Sequence, residues 1–222
     1  MRVLVLLGAP GAGKGTQAQV LARTLGIPHI ATGDLFRAAV REGTTLGREV
    51  KEYMDRGELV PDGVTVGILL DRLSASDARD GAILDGFPRT RAQAEALDAE
   101  LAGRGVGVDR ALYIDVPSED IVRRLSGRWI CEAAGHVYNV ASRPPRAAGR
   151  CDIDESALVQ RDDDRAETVR ARLGQQMGAL GEVVAHYRAT GALVMVDGGK
   201  PISEVTEALL DVLRPAAERR VG

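Results

Sequence analysis

The segment Gly8-Ala-Pro-Gly-Ala-Gly-Lys-Gly-Thr16 has the glycine spacing of a phosphate-binding loop. Glycine carries no Cβ, so several backbone amides can converge on one anion without side chains in the way. The helix that follows such a loop adds partial positive charge at the same point, and Lys14 adds a full charge toward a transferred phosphate. Lys14, Lys51 and Lys200 are the only lysines in a chain whose other cations are arginines. The arginine bias reads as compositional, but an ammonium suits a position between phosphates better than a planar guanidinium does. The general pattern places Ser or Thr directly after the lysine, where its hydroxyl binds Mg²⁺; here that position is Gly15, and Thr16 follows. Regulatory GTPases depend on that hydroxyl, so the displacement points away from a switch and toward a small-molecule kinase.

Two further groups of residues have chemical types worth placing. Asp85 ends the apolar run Ala82–Leu84 at a strand's carboxyl end, the usual ligand edge of a parallel sheet, and is expected to hold magnesium or its waters; a turn-forming Asp is the plainer alternative. Cys131 and His136 are separated by four residues, and Cys151 and Asp154 by two. Close pairs on two turns are how small structural metal sites are usually supplied, and zinc accepts Cys, His and Asp in a tetrahedral set. An unmetallated, hydrogen-bonded arrangement and a Cys131–Cys151 disulfide are the alternatives, the latter disfavoured in a cytosolic chain.

At 222 residues and 45% hydrophobic content, the chain buries one substantial core. Met1–Leu7 is too short for the apolar part of a signal peptide, and no window approaches the roughly 20 apolar residues of a membrane span, so a cytoplasmic protein is expected. A net charge of −3 gives no basic footprint for nucleic acid, while small anionic ligands need local cations only.

The elements that must position these residues follow from periodicity. Arg2–Leu7 reads as a strand buried on both faces, followed by a helix from about Lys14 to Leu25. Short apolar runs recur at Ala82–Leu84, Ala111–Val116 and Ala192–Val196, with helices expected near Arg91–Ala102, Ser118–Ser126 and Glu167–Thr190. A last helix, Ile202–Leu213, starts after Pro201, and the Arg-rich end beyond Pro215 is expected to fray. This alternation implies a fold of α/β class, a parallel sheet with helices on both faces. Residues 31–60, mostly helical in character, and 127–164, rich in Gly and Pro, interrupt it and read as insertions on a core of 1–30, 61–126 and 165–222. Asp162–Arg165 reads as a solvated helix start with carboxylates at the positive end of the dipole.

Together with the loop, Thr32-Gly-Asp-Leu-Phe-Arg37, Asp85-Gly-Phe-Pro-Arg89, Gln93, Arg161, Arg172 and Asp197-Gly-Gly-Lys200 stand in an order that resembles the adenylate kinase family over nearly the whole chain. The resemblance implies a P-loop NTPase-type sheet and reversible transfer of the γ-phosphoryl of Mg·ATP to AMP, giving two ADP. It places ATP on Gly11, Ala12, Gly13, Lys14, Gly15, Thr16, Arg128, Val137, Tyr138 and Lys200. It places AMP against Thr32, Arg37, Glu58, Leu59, Val60, Gly86, Phe87, Pro88, Arg89, Gln93, Arg161 and Arg172. Lys14, Asp85, Arg89, Arg128, Arg161 and Arg172 are the implied catalytic set. The physics agrees, since two nucleotides bring many negative charges into one cleft and guanidinium forks are suited to phosphate oxygens at both ends of the transfer. No general base is required, because the attacking phosphate is already an anion at neutral pH.

Residues 31–60 then resemble a monophosphate-binding insertion, and 127–164 the long lid of bacterial members that closes over ATP. Many metal-bearing lids of the family have a cysteine where this chain has Ala134; His136, two residues later, is a substitute ligand for Zn²⁺. Trp129 follows Arg128 where the family often has another basic residue, a position that either packs the lid or lies near the adenine. The resemblance favours AMP over UMP or GMP through Gln93, whose amide can pair with a donor and an acceptor on adenine. A regulatory switch is opposed by Gly15 and by the phosphate-binding arginines Arg37, Arg89, Arg128, Arg161 and Arg172, and an inactive binding module by Lys14, Asp85 and those five arginines together. The partners expected are ATP, AMP and ADP, with no nucleic acid and no membrane, on a monomer.

Overall fold

The computed structural model describes residues 1–214 except 141, 142, 162, 163 and 165, and not the side chains of Ala166 and Arg172. In chain order the elements begin with β1 (Arg2–Leu7), α1 (Lys14–Leu25), β2 (His29–Ala31), α2 (Thr32–Arg41), α3 (Thr45–Arg56), α4 (Asp62–Leu73), β3 (Gly81–Asp85) and α5 (Arg91–Gly103). They continue with β4 (Val108–Asp115), α6 (Ser118–Ser126), β5 (Arg128–Cys131), β6 (Val137–Asn139), β7 (Leu158–Val159), α7 (Ala166–Ala189), β8 (Leu193–Asp197) and α8 (Ile202–Leu213).

Five strands form a parallel sheet in the order β2-β3-β1-β4-β8, so the most apolar strand is its centre. Successive side chains of a strand point to opposite faces. Val3, Val5 and Leu7 accordingly join Leu69, Leu73, Leu97, Leu101, Val183 and Tyr187 from α4, α5 and α7. Leu4 and Leu6 join Ala18, Leu21, Ile121, Leu125, Val205 and Leu209 from α1, α6 and α8. The two-layer covering is thus written in β1 itself, and truncating fully buried Leu4 or Leu6 to Ala would cost about 3 kcal/mol.

The expected strands and helices are present, with Ser118–Ser126 and Ile202–Leu213 at the expected bounds. Strand β2 has three residues, too few for a period, and it takes its place by pairing with β3. The helical character of 31–60 resolves into α2 and α3, which share a small core of Phe36, Val50 and Val60. They cross closely at Gly47, where a Cβ would lie 2.1 Å from the Ala39 carbonyl oxygen. Thr44 caps α3 by accepting the Gly47 N–H at 2.9 Å.

Between α6 and α7 lies a separate antiparallel sheet, β6-β5-β7, with Trp129 opposite Tyr138 and Cys131 opposite Leu158. Its core is only Cys131, Tyr138, Cys151 and Leu158, with Trp129 against it. Trp129 therefore packs this sheet. The expectation of a solvated helix start at Asp162–Arg165 needs correction at Asp164, whose carboxylate is fully buried against Arg128. A paired guanidinium supplies what water would otherwise supply, so the carboxylate can leave solvent. Asp162, Asp163, Arg165 and the stretch beyond Arg214, including the segment expected to fray, lie outside the described residues.

Candidate functional site

All the parallel strands point their carboxyl ends at one edge, and a cleft of about 1190 Å³ opens there, lined by residues 10–17, Asp85, Arg89, Arg128, Val137, Tyr138, Arg161 and Lys200 among others. The loop between β1 and α1 forms its floor. Gly11 and Gly13 have φ of 84° and 94°, the left-handed region that favours glycine. Lys14 folds back over the loop, Nζ donating to the carbonyls of Gly8 at 2.8 Å and Ala9 at 3.0 Å, which holds its ammonium at the loop's mouth.

Asp85 stands across from the first turn of α1, and a Cβ on Gly15 would lie 3.3 Å from its Oδ2. The hydroxymethyl that the general loop pattern would place here competes for the space of this carboxylate. His29 Nε2 lies 3.2 Å from the same oxygen. Burial alone would push the Asp85 pKa up, but the His29 hydrogen bond and the charges of Lys14, His29 and Arg89 outweigh it, and the carboxyl sits below its ordinary value.

A second, narrower pocket adjoins the cleft between α2, α3 and the start of α5. Its lining includes Thr32, Phe36, Arg37, Met54, Glu58, Leu59, Val60, Thr65, Gly86, Arg89, Gln93 and Gln176. Gly86 accepts from Thr32 Oγ1 at 2.9 Å and from Arg89 Nε at 2.8 Å, so one carbonyl sets both side chains. Arg37 pairs with Asp34 at 2.6 Å, and Arg161 approaches the same carboxylate oxygen at 3.8 Å, which brings residues 124 positions apart into one cluster. Arg37, Gly86 and Arg89 line both cavities, so the narrow pocket opens onto the phosphate loop's cleft through a cationic wall.

Residues 6–192 match the adenylate kinase family model. The chain belongs to the adenylate kinase family. It is 49% identical over 210 residues to the adenylate kinase of Staphylococcus aureus strain Mu50, covering 95% of this chain and 98% of that protein. It is 48% identical, with the same coverage, to the adenylate kinase of Staphylococcus epidermidis strain RP62A. As a family member it is a phosphotransferase that moves the terminal phosphoryl group of ATP to AMP, giving two ADP.

The adenylate kinase frame sorts the residues named from the sequence. The loop residues, Thr32, Arg37, Glu58, Leu59, Val60, Gly86, Arg89, Gln93, Arg128, Val137, Tyr138, Arg161 and Lys200 all line the two cavities. Phe87 does not, because its ring is fully buried in the core beneath the sheet, and Pro88 beside it does not line them either. Arg172 lies on α7, its side chain outside the described residues. Gln93 is more constrained than a free amide: Oε1 accepts the Arg89 N–H at 2.7 Å and Nε2 donates to Asp62 at 2.7 Å. Arg128 is likewise engaged, its fork held by Asp164, with Nε 2.6 Å from Oδ2.

Met54, Thr65 and Gln176 of the narrow pocket, and Arg41, Arg123 and Arg124 of the cleft, were not named from the sequence, and Phe36 only within the Thr32–Arg37 motif. Gln176 had a signal, standing one helical turn after Arg172 on α7. The others have none: the apolar residues and arginines are of types common in this chain, and Thr65 stands in no motif.

Cys131, His136, Cys151 and Asp154 come together beside the antiparallel sheet, each offering a donor atom within 4.8 Å of all the others. Cys131 Sγ is 3.1 Å from Asp154 Oδ2, and His136 Nδ1 is 3.3 Å from Cys151 Sγ and 3.4 Å from Asp154 Oδ2. The edges of a tetrahedral zinc site are about 3.3–3.8 Å, so the donor set fits that ion. Both cysteines are free thiols, which sets the disulfide alternative aside. Burial opposes ionisation of Cys131, yet hydrogen bonds from Ser156 and the Ala134 amide outweigh it and bring its pKa down to about 7. Hydrogen bonds from Ser156, Cys131 and Cys151 hold Asp154 well below the usual carboxylate range.

Proposed function

We propose that the cleft is the ATP site and the narrow pocket the AMP site, with transfer across the wall they share. The shared lining of Arg37, Gly86 and Arg89 carries this reading, because a phosphoryl donor on the loop and an acceptor in the pocket would meet there. Lys14, already fixed at the mouth of the loop, neutralises the moving group, and Arg89 and Arg161 hold its surroundings cationic. Catalysis then comes from position and charge rather than from a base.

Asp85 is the residue suited to hold Mg²⁺, since its carboxyl stays ionised at the ligand edge of the sheet beside the loop. When bound, the ion clamps the phosphate oxygens and spreads their charge. Residues 127–164 form the covering lid, residues 31–60 the monophosphate-binding insertion, and the four-residue donor set of the lid holds Zn²⁺, which when bound ties its two turns together. A cytoplasmic monomer belongs to the same reading: both pockets are lined by residues of one chain, and no described helix is long and apolar enough to cross a membrane.

A coupled assay offering each nucleoside monophosphate with Mg·ATP tests the substrate assignment. AMP is expected to give the highest kcat/KM, and a clear preference for UMP or GMP would overturn it.

A further inference from the structure

Within the narrow pocket most polar side chains are occupied by the protein itself. Thr32 Oγ1 donates to Gly86, Thr65 Oγ1 lies 3.2 Å from the Val60 and Pro61 carbonyls, and both ends of the Gln93 amide have protein partners. Gln176 is different. It is 8% exposed, its Nε2 donates to the Gly57 carbonyl at 2.8 Å, and among the described residues its Oε1 has no hydrogen-bond partner. The amide cannot be turned over, because that would set two carbonyl oxygens 2.8 Å apart. Nor is Oε1 sealed off, since the one fully buried, unpartnered side-chain polar atom among the described residues is Tyr187 Oη.

We infer that Gln176 is a specificity-determining residue that reads the acceptor base, its Oε1 accepting a hydrogen bond from an exocyclic amine on the purine ring. The inference rests on the reading of this pocket as the AMP site. Gly57 fixes the amide so that a hydrogen-bond acceptor faces a cavity walled by Phe36, Met54 and Val60, which suit the faces of a flat base. A carbonyl at the same ring position would meet oxygen with oxygen. A site that offers a fixed polar partner discriminates strongly against the analogue lacking its complement.

The test pairs AMP with purine riboside 5′-monophosphate, which lacks the amine, in the wild type and in Gln176→Met. The wild type is expected to favour AMP by about tenfold or more in kcat/KM, and in Gln176→Met most of that preference disappears while the KM for ATP stays within about twofold. A purely structural tether between α7 and Gly57 would weaken both monophosphates alike. Equal losses, or an unchanged preference, overturn the inference. AMP titration followed by amide chemical shifts separates this from the broader reading. Shifts absent from Gly57–Val60 and Gly86 sink the pocket assignment, whereas shifts there with unaltered preference in Gln176→Met sink only the role of Gln176. Should the methionine variant unfold, Gln176→Leu and the wild-type comparison of the two monophosphates give the same readout, and a wild type indifferent to the amine overturns the inference.

Discussion

Asp164 grips the guanidinium of Arg128 through two parallel hydrogen bonds, and the carboxylate has no exposure to solvent while it does so. The contact joins β5, at the root of the antiparallel sheet, to the residues that lead into α7. Replacing Asp164 with Asn leaves a largely covered guanidinium without its counter-charge, and an expected loss of about 2–3 kcal/mol should appear as a lower urea midpoint. The same variant should raise the KM for ATP more than that for AMP, since Arg128 lines the cleft and not the narrow pocket. Equal stability with unchanged kinetics would show that the pair is idle. Arg128→Lys should not preserve the pair, because an ammonium lacks the fork that the carboxylate grips.

Acid dependence follows from Asp85. Its folded-state pKa lies below its ordinary value, so its contribution to stability is complete above the unfolded value of about 4 and is lost as pH falls through the depressed folded value. His29 is the foremost lowering influence, so His29→Ala should move the Asp85 titration to higher pH, lower the stability at neutral pH and shrink the part of it that is lost on acidification. Carboxyl carbon-13 shifts between pH 2 and 7, with urea melts at the same pH values, measure both. Coincident titrations in the two proteins would refute the assignment.

Protein purified without added zinc is expected to carry close to one equivalent. A chelator should then loosen the antiparallel sheet, whose core is too small to be stable on burial alone. Where free zinc stands a thousandfold above its dissociation constant, the stabilisation lost is on the order of 4 kcal/mol. Trp129, the only tryptophan and a strand residue of that sheet, reports the change by fluorescence. Negligible metal content, or fluorescence indifferent to chelation, would leave the hydrogen-bonded arrangement in place.

Tyr187 is 1% exposed, and its hydroxyl, buried without a partner among the described residues, has its pKa pushed up by burial and the Asp98 carboxylate. Tyr187→Phe removes an unsatisfied group and leaves the ring, so a gain of about 1 kcal/mol is expected, or roughly 2–4 °C in Tm for a chain of this length. A lower Tm would reveal a partner such as water.

The residues of the loop and of β1 were legible because both patterns are local: glycine spacing in one, an unbroken apolar run in the other. The alternation of strands and helices carried the sheet for the same reason. Strand β2 and the Arg128–Asp164 pair were not legible. Three residues have no period, and nothing local marks which aspartate of three in a row will be drawn inside by an arginine 36 positions away. Gln93 illustrates a subtler limit: its place was readable, but its partners Arg89 and Asp62 depend on how α4 meets α5. The donor set of the antiparallel sheet was readable as spacing, and its convergence only as structure.

The near approach of position 15 to Asp85 ties the size of one residue to the placing of the other. A side chain at position 15 would crowd the Asp85 carboxylate, and one of the two would have to give by a few tenths of an ångström. An engineered Gly15→Ser is therefore expected to be tolerated best where residue 85 has been shortened at the same time.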